Sequence, residues 1–156
     1  MIVPDLNLLV HAYNAGSPVH EEARAWWETL LNQPAPAIGL AWVVALGYIR
    51  LTTHPRIMAE PLTAHEACGD VESWLAQPQV TLLHPGEGHA STLFHLLRKL
   101  GTAANLTTDA HLAALAMEYQ ATLHTTDADF ARFSGLRWEN PLGGRGKATR
   151  TGFDSW

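Results

Sequence analysis

The chain has 156 residues, 47% hydrophobic and 16% charged, which suits one globular domain with a substantial core. No window approaches the roughly 18 unbroken apolar residues of a membrane span. The start "MIVPDLNLLV" has no basic region ahead of its apolar run and does not read as a secretory signal, and the single Cys68 allows no intrachain disulfide, so the cytoplasm is the expected compartment. A formal charge of −5 excludes nucleic-acid binding by bulk attraction, which takes a basic surface; a local basic rim or a bound cation would be needed instead.

The chain opens with "IVPD", a short strand ending at Asp5, and "LNLLVHAYN", a helix. Residues 18–33 place Val19, Ala23, Trp26, Trp27, Leu30 and Leu31 on one side at helical spacing. Pro34 and Pro36 break that pattern, "AIGL" forms a second strand, and "AWVVALGYIRLTT" is apolar enough to predict a core helix. A loop, "HPRIMAEPL", leads to a helix whose Thr63 and Glu66 have capping-box spacing. "VTLL" is a third strand, "HASTLFHLLRKL" a helix closed by Gly101, and "NLTTDAHLAALAMEYQ" a helix with its apolar stripe at Leu112, Leu115, Ala116 and Tyr119. "ATLHT" is the fourth strand, "DADFARF" a turn or short helix, and "LRW" a brief fifth strand. Alternating strands and helices predict a three-layer α/β fold around a mainly parallel sheet of four or five strands, in residues 1–142. Residues 143–156 lack periodicity and read as a flexible tail.

Ligands of open parallel sheets bind beyond the carboxyl ends of the strands. Asp5 ends the first strand, Asp127 ends the fourth, and Asp109 opens the helix before it. Three carboxylates gathered there would repel one another and raise their own pKa values. A divalent cation with hard oxygen preferences, Mg²⁺ or Mn²⁺, removes that penalty and can engage a phosphodiester. Each acid also has a plainer reading: Asp5 as a helix cap, Asp109 as a charge favoured at a helix N-terminus, and Asp129 as an N-cap or turn residue. Asn7 is either an auxiliary to Asp5 or a turn former. The functional reading rests on convergence of the three acids.

"PDLNLLVHAYN", "NLTTDAHLAALA" and "TTDADFARFSGLRWENPL" together resemble the PIN domain, and more narrowly the VapC-type toxins of bacterial toxin–antitoxin pairs, over residues 2 to about 142. The resemblance implies a Mg²⁺- or Mn²⁺-dependent endoribonuclease, usually homodimeric, held in check by a small VapB-like antitoxin. It implies Asp5 and Asp109 as the principal metal ligands, with Asp127 completing the pocket, and products bearing a 3′-hydroxyl and a 5′-phosphate. One departure stands out: Gly47 occupies a position where many PIN domains carry Glu, three residues before Arg50, which puts a second tightly held ion in doubt. A catalytically silent RNA- or protein-binding module is the alternative, and Gly47 is its one argument. Arg50, His54 and Arg56 are candidates for a basic rim, or a solvated helix end. The nine histidines read as solvent-facing or capping residues. Trp26, Trp27, Trp42 and Trp74 read as core or dimer packing. "DLN" is not the Asp-x-Asp of a dehalogenase-like phosphatase, and "LLHPG" lacks the Asp of a receiver domain.

Overall fold

In the computed structural model, residues 1–143 are described, so the tail expected from residue 143 onward lies, beyond its first residue, outside them. The chain folds in the order β1 (Ile2–Pro4), α1 (Leu6–Tyr13), α2 (His20–Asn32), β2 (Ile38–Ala41), α3 (Trp42–Thr52), α4 (Ala64–Leu75), β3 (Val80–Leu83), α5 (His89–Leu100), α6 (Thr107–Glu118), β4 (Thr122–His124) and β5 (Trp138–Glu139). Short 3-10 turns at Ala104–Leu106 and Ala128–Arg132 precede α6 and follow β4. Five strands form one sheet in the order β3-β2-β1-β4-β5, with every pairing parallel.

That order fixes where a site can form. The chain builds outward from β1 through β2 to β3 and then returns to lay β4 on the other side of β1. Strand order therefore reverses between β1 and β4, and the crevice beyond their carboxyl ends is the topological switch point. Asp5 and Asp127 both belong to the segments that leave those two ends.

The sequence sets most elements by ordinary means. The strands are short, the central ones are buried, and Ile38, Leu40, Leu83, Val3 and Leu123 are closed off from solvent. On α2 the burial of Ala23, Trp27 and Leu30 follows the predicted face. The capping box at α4 forms: Glu66 N–H donates to Thr63 Oγ1 at 3.2 Å, and Thr63 N–H donates to the Glu66 carboxylate at 2.8 Å. Aromatic packing continues from α2 to α4, with Trp27 edge-on to Trp74 at 5.4 Å and Trp74 against Tyr48 at 4.7 Å.

Three expectations change. Helix α3 is not wholly core: Val44, Ala45, Tyr48 and Leu51 are buried, but Trp42 is 47% and Leu46 59% exposed. Helix α6, expected to show an apolar stripe at Leu112, Leu115, Ala116 and Tyr119, is buried more widely, at Ala110, Leu112, Ala113, Ala114, Leu115 and Ala116, with Tyr119 exposed. Its four alanines let neighbouring backbone approach over that wider face. Among the histidines, His11, His89 and His124 are buried rather than solvent-facing.

Candidate active site

Asp5 is the N-cap of α1, with extended backbone (φ −82°, ψ 155°), and is only 9% exposed. One carboxylate oxygen, Oδ1, accepts the Leu6 N–H at 2.7 Å. The other, Oδ2, accepts the hydroxyl of Thr125 at 2.7 Å. The Asp5 N–H donates to the His124 carbonyl at 2.9 Å, which ties the exit of β1 to the end of β4. A carboxylate held at both oxygens has little freedom left in its orientation.

Thr125 is the hub. It follows β4 directly and is 0% exposed. Its hydroxyl donates to Asp5, accepts the Asn7 amide at 3.2 Å and accepts the Asp127 N–H at 2.9 Å. One donation and two acceptances exhaust a hydroxyl, so Thr125 orients its neighbours and has nothing left for a ligand. Asp127 in turn caps the following 3-10 turn, its Oδ1 accepting the Asp129 N–H at 2.8 Å. The capping role expected of Asp129 thus belongs to Asp127, and Asp129 is an exposed residue of that turn. Asp5 and Asp127 both cap the segments that follow them, and the caps fix how each carboxylate is aimed.

Asp109 comes from a different element, the first turn of α6, and is half-buried. Among the described residues, no three His, Cys, Asp or Glu side chains are grouped as ligands of a single ion. A Mg²⁺-like ion does not require such a cage. It retains several waters and is held by one or two carboxylates together with substrate phosphate. The donor set here meets that pattern, being all oxygen, and one atom points to it directly. Asn7 Oδ1 is buried without a hydrogen-bond partner, while its own Nδ2 is bound to Thr125. A lone acceptor in the same web as Asp5 is the group a hydrated cation would satisfy.

A second layer backs the web. His124 Nδ1 accepts the Trp26 indole N–H at 3.2 Å, which places its proton on Nε2, and Nε2 meets Glu139 at 2.7 Å. Burial pushes the His124 pKa down, and the Glu139 carboxylate opposes that shift. Arg50 is exposed in the last turn of α3, and the Arg56 N–H donates to His54 Nδ1 at 3.1 Å in the loop beyond.

Gly47 is buried on α3, and a Cβ placed there would stand 2.5 Å from Leu6 Cδ2. Thr125, the hub of this web, was passed over in the sequence. Its signal was present in "TTDADF": a hydroxyl residue at the end of a buried strand, two before an acid.

This switch-point site, on an all-parallel sheet of this order, defines a class: the chain belongs to the PIN-domain family, whose model matches residues 2–136. Within that family it belongs with the VapC ribonucleases. It is 46% identical over 142 residues to Ribonuclease VapC33 of Mycobacterium tuberculosis, covering 91% of this chain and 99% of the relative. It is 40% identical to Ribonuclease VapC37 of the same organism, covering 90% and 97%. Two solved structures share the fold at 18% identity. One is VapBC2 from Rickettsia felis bound to a promoter DNA fragment, with a TM-score of 0.64 and 90% and 98% coverage. The other is VapC20 from Mycobacterium tuberculosis, described as a sarcin–ricin loop cleaving toxin, with a TM-score of 0.63 and 88% and 99% coverage.

Proposed function

We propose that the chain is the toxin of a type II toxin–antitoxin pair, an endoribonuclease that hydrolyses RNA phosphodiester bonds with the aid of a divalent ion. The observation that carries this reading is the Thr125 web, which aims Asp5 while leaving Asn7 Oδ1 without a donor. Asp5, Asp109 and Asp127 are the residues that would hold Mg²⁺ or Mn²⁺. Such an ion supplies positive charge that holds the phosphate and favours loss of a proton from the attacking water. The chain's own contribution is orientation: Thr125 and the Leu6 N–H fix Asp5, the Asp129 N–H fixes one oxygen of Asp127, and Asp109 brings charge from a third element. The products would carry a 3′-hydroxyl and a 5′-phosphate.

The activity would reside in residues 1–142, in the cytoplasm, in a homodimer inhibited by a VapB-like antitoxin. Among the described residues no helix is long and apolar enough to cross a membrane. Relatives at 40–46% identity that bear the name ribonuclease support an active enzyme over a silent binding module. The test is incubation of the purified chain with total RNA, with Mg²⁺, Mn²⁺ or chelator, beside Asp109→Ala. Discrete fragments that need both the ion and Asp109 are the expected result. Intact RNA from the folded wild-type chain at every ion condition would overturn the reading.

A further inference from the structure

We infer that Gly47 is a seat for the Leu6 side chain, and that this contact positions the Asp5 carboxylate. The inference deepens the proposed function and rests on its assignment of Asp5 to the ion.

Glycine is the least favoured ordinary residue inside a helix, so one at a buried mid-helix position needs a reason. The reason here is close approach. A Cβ at position 47 would stand 2.5 Å from Leu6 Cδ2, 3.2 Å from Cδ1 and 3.4 Å from Cγ, so the leucine lies directly against the α3 backbone. Leu6 is also the first residue of α1, and its N–H is the donor to Asp5 Oδ1. The side chain that enters α3 and the backbone group that holds the first acid therefore belong to one residue. Leu6 packs against both hydrophobic clusters as well, the main core and the smaller group of Val10, Leu51 and Met58. A methyl at position 47 would press on the δ-methyls of Leu6, and on this inference part of that push reaches the first turn of α1, whose Asp5 is also held at Oδ2 by Thr125. On this account position 47 is shaped by what α1 inserts there, and Gly47 is a positioning residue rather than a deleted ligand.

The test measures binding of Mn²⁺ alone to the full chain by titration calorimetry, with melting temperature followed separately. The proteins are wild type, Asp5→Asn, Gly47→Ala, Leu6→Ala and the Gly47→Ala/Leu6→Ala pair. Helix propensity alone would make Gly47→Ala more stable. If the seat matters, Gly47→Ala weakens Mn²⁺ binding on the order of 10-fold, as loss of an orienting group does, and speeds exchange of the Leu6 amide proton. Leu6→Ala weakens binding too, and the double variant binds no worse than Leu6→Ala, because the leucine atoms nearest the new methyl are then gone. Wild-type affinity in Gly47→Ala, or losses that multiply in the double variant, would overturn the inference while leaving the proposed function intact. Should Gly47→Ala fail to fold, Leu6→Ala decides the matter: wild-type affinity there refutes the positioning role. Mn²⁺ binding by Asp5→Asn equal to wild type would remove the ion from Asp5 and sink both readings.

Discussion

Two buried polar webs cross this molecule, and they differ in one respect. At the switch point, Asp5, Asn7, Thr125 and Asp127 share a hub hydroxyl, and the web ends in an amide oxygen that nothing donates to. Between α5 and α6, Glu118 accepts the Gly86 N–H at 3.1 Å and pairs with His89 Nδ1 at 3.0 Å, while His89 Nε2 meets His111 Nδ1 at 2.9 Å. That second web leaves no buried polar atom unsatisfied among the described residues. Both are built from groups that are expensive to bury. The closed web is accounted for by holding two helices together. The open one leaves Asn7 Oδ1 available to a donor from solvent or from a hydrated cation. A polar cluster is better judged by what it leaves unpaired than by its residue types, since the histidine-rich web looks the more catalytic of the two.

The largest expected effect falls on the open web. Asp5→Ala is expected to abolish RNA cleavage, with loss of the α1 cap costing about 1 kcal/mol of stability. Cleavage assays beside a denaturant melt check both halves, and full activity in a folded variant would end the distinction between the webs. Thr125→Val keeps the shape of the side chain and removes the hub. It leaves the Asn7 amide and the Asp127 N–H without their acceptor, for a stability loss of about 1–3 kcal/mol, and is expected to lower Mn²⁺ affinity by roughly 10- to 100-fold. Stability lost with unchanged affinity would make Thr125 merely structural.

Glu118→Ala is the matching experiment on the closed web. It removes the partner of the buried His89 Nδ1, while the exposed Gly86 N–H turns to water, so the cost should lie toward the lower end of about 1–3 kcal/mol. Mn²⁺ affinity should not move. A drop in affinity comparable to that of Thr125→Val would show that the α5–α6 web reaches the site after all, through the N-terminal half of α6, which carries Asp109 in its first turn and His111 just beyond.

These contrasts explain what the sequence disclosed and what it hid. The alternation of β1, α1, β2 and their successors was legible because apolar periodicity and Pro/Gly punctuation are local signals. The three acids drew attention because Asp5 and Asp127 follow strand ends and Asp109 opens a helix, which are local signals. Thr125 was not, since a hydroxyl becomes a hub only when Asp5, 120 residues away in sequence, docks against it. What packs against Gly47 was hidden for the same reason: the leucine beside it comes from another helix. The wide burial of α6 was hidden because its alanines carry almost no periodic contrast, so the few larger residues alone drew the stripe.

The smallest effect expected concerns pH, and it too separates regions. Burial lowers the pKa of His11, on α1, below its usual 6.5, and the ring pairs with the Ser17 hydroxyl at 2.8 Å. A histidine kept neutral in the fold binds its proton more readily when unfolded. The unfolded state therefore gains protons first as pH falls through 6.5, and stability declines from there until the folded-state pKa is reached. The same sign holds for His111 and His124, whose pKa values burial also lowers. Melting temperature should thus fall between pH 7.5 and 5.5, and His11→Gln should flatten part of that slope. His124 offers the sharper comparison, because its protonation would cost the Trp26 bond while strengthening the one to Glu139. His124→Gln should therefore flatten the profile less than His11→Gln does, and equal flattening would show that Glu139 contributes nothing to holding the charge.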